Sequence, residues 1–216
     1  MDHQIAPSIL NSDFLNLSKV IEMLNSSDAD LIHLDIMDGV FVPNLTFGFP
    51  VIKQIKNAAK KPLDVHLMIV EPERYIQRFR EAGADILTVH YEACKDLKQC
   101  LKDIRSLGMK ASVSLKPATD VSVLEPYLPY LDMVLIMTVE PGYGGQSFIE
   151  ASYEKVRMLK EMISKAGCPT LIEVDGGVGK NNLLKLKESG VDVFVVGTSI
   201  FQAEDPPMMI RELKDL

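Results

Sequence analysis

No run of about 20 apolar residues occurs anywhere in the 216-residue chain, which excludes a membrane-spanning helix of ordinary length. Basic residues are also in short supply. Against 30 Asp and Glu there are 23 Lys and Arg, leaving a net charge of −7. That balance argues against nucleic acid or an anionic membrane as the main partner. An anionic small molecule would have to be met by a local positive field, from a metal ion or from helix N-termini. Cysteine is limited to Cys94, Cys100 and Cys168, with no C-x-x-C pair, as expected for structural thiols in a reducing compartment. Asp2 and His3 stand where a secretory signal would be basic, and no apolar stretch follows them. The expected location is the cytoplasm, and His3 is expected at the surface.

What the chain does have is a rhythm. Short apolar, β-rich runs lie at 5–10, 31–36, 63–69, 86–91, 110–115, 133–138, 170–174 and 193–196. Stretches with helical spacing fall between them, at 15–24, 74–81, 97–107, 153–165 and 182–189. Pro126 and Pro129 predict a short or broken helix over 121–131. Gly83, Gly108, Gly167 and Gly190 each stand a few residues before the next strand, as helix stops do. A hydrophobic share of 47% and a charged share of 25% are ordinary for a globular chain with a sizeable core. Eight strands alternating with helices, without linker or composition break, predict an α/β fold: a single (β/α)8 TIM barrel over residues 1–216. An open doubly wound sheet is the competing arrangement.

Several strand residues do not belong in a barrel core. Side chains two apart on a strand share a face, so His33, Asp35 and Met37 point one way, as do Asp64, His66 and Met68. A barrel interior normally fills with Val, Ile and Leu. His33, Asp35 and His66 near the outgoing ends of adjacent strands therefore ask for a reason. The seventh strand, ending Glu173-Val174-Asp175-Gly176-Gly177, adds a carboxylate at the same rim. Two imidazoles and two carboxylates from separate strands form a mixed N/O set suited to Zn²⁺, Fe²⁺, Mn²⁺ or Co²⁺. His90 is open between lining the rim and simple packing.

Seven of the 13 glycines, Gly142, Gly144, Gly145, Gly176, Gly177, Gly179 and Gly197, follow the last three strands. Backbone that must approach a phosphate closely needs residues without a Cβ, and the loops after strands seven and eight are a common phosphate site in such barrels. Residues 141–146 are long and glycine-rich enough to form a closing lid. Met37, Met68 and Met137 are either core filler or an apolar wall around a substrate carbon. Ser8 ends the first strand and can aim its hydroxyl at the same site.

These residues also carry a family resemblance. Ala6-Pro7-Ser8-Ile9-Leu10, His33-Leu34-Asp35-Ile36-Met37-Asp38-Gly39, Phe41-Val42-Pro43-Asn44 and Asp64-Val65-His66-Leu67-Met68 resemble ribulose-phosphate 3-epimerases. Met137-Thr138-Val139-Glu140-Pro141-Gly142, Glu173-Val174-Asp175-Gly176-Gly177 and Gly197-Thr198-Ser199-Ile200 continue the resemblance in order along the chain. It implies interconversion of D-ribulose 5-phosphate and D-xylulose 5-phosphate in the pentose phosphate pathway by a cytoplasmic enzyme. By the same resemblance the metal ligands are His33, Asp35, His66 and Asp175, and the acid/base pair is Asp35 and Asp175. Substrate contacts fall on Ser8 and His66, and phosphate contacts on Gly142, Tyr143, Gly144, Gly145, Gly176, Gly177, Gly197 and Thr198. Tyr143 stands where the family usually has Phe, while Val40 and Phe49 replace residues that are frequently polar or His.

The implied chemistry suits these groups. Epimerising a carbon beside a ketone removes a proton on one face and returns one on the other, through an enediolate, and two carboxylates flanking the sugar supply base and acid. One divalent ion, Zn²⁺ or Fe²⁺ first among the candidates, would neutralise the enediolate oxygens. The expected partner is a small phosphorylated ketose, with no nucleic acid, no membrane and a homo-oligomeric assembly. The rival substrates are hexulose 6-phosphates such as allulose 6-phosphate. A lyase of the same barrel group would need a strand-end lysine, for which Lys116 is the candidate. A catalytically silent sugar-phosphate sensor would not need both Asp35 and Asp175.

Overall fold

The structure, a computed structural model, describes residues 3–216; Asp2 lies outside the described residues. Strands and helices alternate as β1 (Gln4–Pro7), α1 (Leu17–Ser26), β2 (Ile32–Met37), α2 (Phe49–Ala58), β3 (Leu63–Met68) and α3 (Ile76–Ala82). They continue as β4 (Ile86–His90), α4 (Leu97–Ser106), β5 (Lys110–Leu115), β6 (Met133–Met137), α5 (Ser152–Ala166), β7 (Leu171–Asp175) and α6 (Leu183–Ser189). The chain ends with β8 (Val193–Val196), the short α7 (Thr198–Phe201) and α8 (Pro206–Lys214). Every neighbouring strand pair is parallel, in the order β1-β8-β7-β6-β5-β4-β3-β2. Between the two end strands a parallel bridge, Ser8 with His33, closes the ring. The open doubly wound sheet is thereby excluded. Among the described residues no helix is long and apolar enough to cross a membrane.

The strands are buried on both faces, as parallel strands under helices are. Outward-facing Ile32, Leu34 and Ile36 join the large apolar layer between sheet and helices, with Leu63, Val65 and Leu67 beside them. A separate apolar plug of Ala6, Leu31, Ile86, Met133, Val193 and Val195 fills the lower barrel interior. On α4 the buried positions Leu97, Cys100, Leu101 and Ile104 follow helical spacing, and the Asp96 side chain caps the helix by accepting from the Gln99 N–H at 3.0 Å. Gly83, Gly167 and Gly190 cap α3, α5 and α6 at positive φ. Gly108, at φ 77°, closes the turn after α4.

Differences from the sequence reading have local causes. The first strand ends at Pro7, short of residue 10, because the Ser8 hydroxyl accepts the Leu10 N–H and starts a 3-10 turn. Between β5 and β6 the connection is a 3-10 helix, Val121–Tyr130, whose two prolines remove backbone donors and keep an α-helix from forming. Helices α2 and α8 lie outside the stretches read as helical. His3 is buried, not at the surface: its Nε2 donates to the Leu213 carbonyl at 2.8 Å and its ring meets Phe194 edge-on. Cys100 is buried and Cys94 and Cys168 are half-buried free thiols, as expected of structural cysteines.

Candidate active site

Four side chains meet at the outgoing ends of β2, β3 and β7. One donor atom from each of His33, Asp35, His66 and Asp175 lies within 4.8 Å of all the others. Strand register produces the meeting, since Asp35 pairs with His66 across β2 and β3, and Asp175 ends β7. Asp35 Oδ1 lies 3.2 Å from His66 Nδ1 and 3.4 Å from His33 Nε2, and Asp175 Oδ2 lies 3.8 Å from His66 Nδ1. The other Asp35 oxygen accepts from the Ser8 hydroxyl at 2.5 Å. Thr138 secures the rim by donating its N–H and its hydroxyl to the Asp175 carbonyl, at 2.8 and 2.9 Å.

The donor set fits a divalent ion. Ligand atoms about 2.0–2.2 Å from a tetrahedral centre stand about 3.3–3.6 Å apart, close to the separations around Asp35 Oδ1. The His33 Nε2 atom is buried with no hydrogen-bond partner and faces Asp35. Its opposite nitrogen, Nδ1, donates to Asp64 Oδ2 at 2.6 Å, so in the neutral ring the lone pair is on Nε2. Glu173 shares its parity with Asp175 but lies deeper, 3.9 Å from His33 Nδ1, outside the four-residue cluster. Burial and the neighbouring Asp64 charge push its carboxyl well above the ordinary value.

Electrostatics separate the two rim carboxylates. Burial alone would push Asp35 up, but the charges and hydrogen bonds of His33 and His66 hold it well below the usual carboxylate range. Asp175 goes the other way: burial, then the nearby Asp35 charge, raise it to about 6. Burial lowers His90 to about 4, so this ring is neutral near pH 7.

Above the cluster is a cleft of about 530 Å³, counting its open mouth. Met37, Met68 and Met137 line it from small buried apolar clusters, and Ser8 is at its edge. On the other side it is bounded by the glycine loops, with Tyr143 60% exposed at the mouth. The loop after β6 is tied by Gln146, whose Nε2 donates to the carbonyls of Glu140 and Tyr143 at 2.6 and 2.9 Å. Asn44 Nδ2 donates to the Gly142 carbonyl at 2.8 Å, joining this loop to the one after β2.

Part of the glycine clustering is close packing. A Cβ on Gly177, at φ 64°, would sit 2.8 Å from the Phe148 nitrogen, and one on Gly176 would meet Val139 at 2.3 Å. On Gly197 and Gly144 it would strike the Asn11 side chain, at 2.3 and 2.6 Å.

The comparisons with known proteins bear on the whole of this site. A sequence model of the Ribulose-phosphate 3 epimerase family matches residues 4–201. A ribulose-phosphate 3-epimerase from Synechocystis sp. is 47% identical over 92% of this chain and 87% of its own length. Those from Aquifex aeolicus and Bacillus subtilis are each 44% identical over 98% of this chain, and over 96% and 98% of theirs. The chain belongs to the ribulose-phosphate 3-epimerase family. Likeness to solved structures supports the fold alone. KGPDC from Streptococcus mutans, solved in complex with a pentose phosphate, is 16% identical, with a TM-score of 0.79 over 100% of this chain and 97% of that one. 3-Hexulose-6-phosphate synthase superposes with a TM-score of 0.68 at 19% identity, covering 100% and 99% of the two chains.

Every position expected from the family resemblance lies at this cleft or in the cluster beneath it. Lys116, the candidate for lyase chemistry, instead holds its ammonium 4.1 Å over the Phe41 ring. Three residues escaped the sequence reading. Asn11 sits in a turn beyond β1, where period-two alternation has stopped. Asp64 was aligned with His66 by parity, but its pairing with His33 is a cross-strand relation that no single strand reveals. Glu92 lies in the loop after β4, with nothing in its local pattern to mark it.

Proposed function

We propose that this chain interconverts D-ribulose 5-phosphate and D-xylulose 5-phosphate by metal-dependent proton transfer between two carboxylates, through an enediolate. The observation that carries the reading is the pair Asp35 and Asp175, brought from β2 and β7 to one cluster with two imidazoles beneath the methionine-walled cleft. Their environments push the two carboxyls apart, one far down and one up to about 6. Epimerisation needs one carboxylate to take a proton and a second to return one on the other face. In one direction ionised Asp35 removes the C3 proton and Asp175 returns a proton to the opposite face. In the reverse direction the roles exchange. Ser8 donates to Asp35 Oδ2 and fixes the orientation of that carboxylate.

His33, Asp35, His66 and Asp175 would hold the ion, Zn²⁺ or Fe²⁺ first among the candidates. When bound, a divalent cation supplies positive charge for the enediolate oxygens, and two Asp ligands leave that site formally neutral. The three methionines exclude water from the carbanion side without offering a proton. The substrate phosphate lies against Gly144, Gly145, Gly176, Gly177 and Gly197, where no Cβ holds it off the backbone, and against Thr198, the first residue of α7. The whole chain acts as one barrel domain.

The test is turnover of ribulose 5-phosphate by protein of known metal content. The expected result is loss of epimerisation on chelation and recovery with Zn²⁺ or Fe²⁺, with allulose 6-phosphate the poorer substrate. Full activity in protein shown by elemental analysis to be metal-free would overturn the metal dependence. A preference for allulose 6-phosphate would overturn the substrate.

A further inference from the structure

Behind His66 runs a line of hydrogen bonds that the chemistry above does not use. The Nδ1 atom of His66 faces Asp35 and Asp175, and its Nε2 lies 2.9 Å from Nε2 of His90. The Nδ1 atom of His90 lies 3.3 Å from Glu92 Oε2. Both rings are fully buried, so no solvent competes for the contact between them. The other Glu92 oxygen accepts the Lys116 N–H at 2.9 Å and the Thr119 hydroxyl. These contacts, with the His90 bond, hold the Glu92 carboxyl down to about 2 although burial opposes it. The Phe41 ring covers His90, with centroids 4.7 Å apart.

Counting protons along this line fixes its direction. A carboxylate only accepts hydrogen bonds, so His90 must carry its hydrogen on Nδ1 to meet Glu92. A neutral imidazole has one N–H, so His90 Nε2 is bare and accepts. The hydrogen between the two rings then belongs to His66 Nε2, and His66 Nδ1 keeps a lone pair directed at the four-residue cluster. From Asp35 to Glu92 there are three gaps, but two neutral rings supply only two hydrogens. A cation at the Asp35 end completes the line without forcing either ring to become imidazolium.

We propose that Glu92, acting through His90, is a positioning pair that sets the His66 tautomer and presents Nδ1 to the metal. The proposal rests on the metal reading given above. It makes the two imidazole ligands different in kind: His33 is anchored directly by Asp64, whereas His66 is anchored at one remove, by a carboxylate at the edge of β4. Partners of this type commonly change metal affinity by about 10–100-fold when replaced.

The experiment begins with wild-type protein. Chelator competition measures its Zn²⁺ affinity, and failure to bind one Zn²⁺ per chain would overturn the metal reading itself. Histidine-¹⁵N-labelled, Zn²⁺-loaded wild type should then show His66 protonated at Nε2 and His90 protonated at Nδ1. A His90 protonated at Nε2 would overturn the positioning proposal while leaving the metal site intact. Glu92→Gln is nearly isosteric and its side chain is partly exposed, so it is the variant of choice. With an unchanged circular dichroism spectrum it should bind Zn²⁺ about 10–100-fold more weakly, and Glu92→Asp should recover part of the loss. An affinity within twofold of wild type for Glu92→Gln would also overturn the proposal.

Discussion

Asp35 and Asp175 are the same chemical group in nearly the same place, yet their neighbours give them opposite tendencies. Two imidazoles face Asp35 and stabilise its charge, whereas Asp175 is half-buried beside a carboxylate that is already charged. The two residues therefore give separable variants. Asn keeps an oxygen for a metal but shuttles no proton at neutral pH, so Asp35→Asn and Asp175→Asn should each lower epimerisation by at least about 10²-fold. Exchange of the C3 hydrogen with D₂O needs only the base for that face. Each variant, with metal content verified, should retain exchange of one epimer, and the two should choose opposite epimers. If NMR shows both exchanging the same epimer equally, the two-base mechanism fails. At this scale the site was legible wherever strand parity governs: His33, Asp35, His66 and Asp175 stand out as polar residues on inward positions. What parity could not convey is which nitrogen of each ring faces the cluster. That is decided by Asp64 and by the His90–Glu92 pair, through contacts between strands and loops.

At the scale of elements, the loops after β6 and β7 are packed into one another, and Gly177 is where they touch. Its φ of 64° lies in the left-handed region, and a Cβ there would press on the Phe148 backbone nitrogen at 2.8 Å and the Gln146 carbonyl at 3.0 Å. Gly108 is a matched control, with φ 77° and nothing within 4 Å of an added Cβ. Gly177→Ala and Gly108→Ala should both lose about 1–2 kcal/mol from the left-handed conformation, read by chemical denaturation. Only Gly177→Ala should also raise KM for ribulose 5-phosphate, by tenfold or more, because residues 146–148 must move. An equal KM change in Gly108→Ala would show that backbone strain alone is responsible. Strand positions and the helix-stop glycines were readable because each leaves a strong local pattern. Helices α2 and α8 were not, and both carry proline in their first turn, Pro50 in α2 and Pro206 and Pro207 in α8, which interrupts the local pattern where the helix starts. The overrun of β1 has a different origin: residues 7–10 are mostly apolar, and only the Ser8 turn shows that the strand has stopped.

The whole molecule divides its labour between the two ends of the barrel. Polar residues gather where the strands end, and the apolar plug fills the barrel interior below them. Helix α8 packs against β1 in the apolar layer outside the barrel: Ile210 and Leu213 are fully buried, and Lys214 Nζ donates to the His3 carbonyl at 2.8 Å and to Asp30 Oδ2 at 2.9 Å. Asp30 Oδ2 also accepts the Ile5 N–H at 2.7 Å, so the C-terminal helix is tied to the first strand where the ring closes. In barrels of this kind the catalytic face and the stabilising face are separable, and Leu213→Ala tests that separation. The substitution leaves the Leu213 carbonyl in place for His3 but removes three side-chain carbons from a site with no solvent exposure. The expected loss is about 2–5 kcal/mol of folding stability, read from urea denaturation. In the fraction that remains folded, kcat and KM should stay within twofold of wild type, because Leu213 packs in the layer between sheet and helices and does not line the cleft. Asp175→Asn should do the reverse, abolishing turnover with little cost to folding. If Leu213→Ala lowered kcat tenfold in protein shown to be folded, the apolar layer and the cleft would be coupled, and the partition argued here would be wrong.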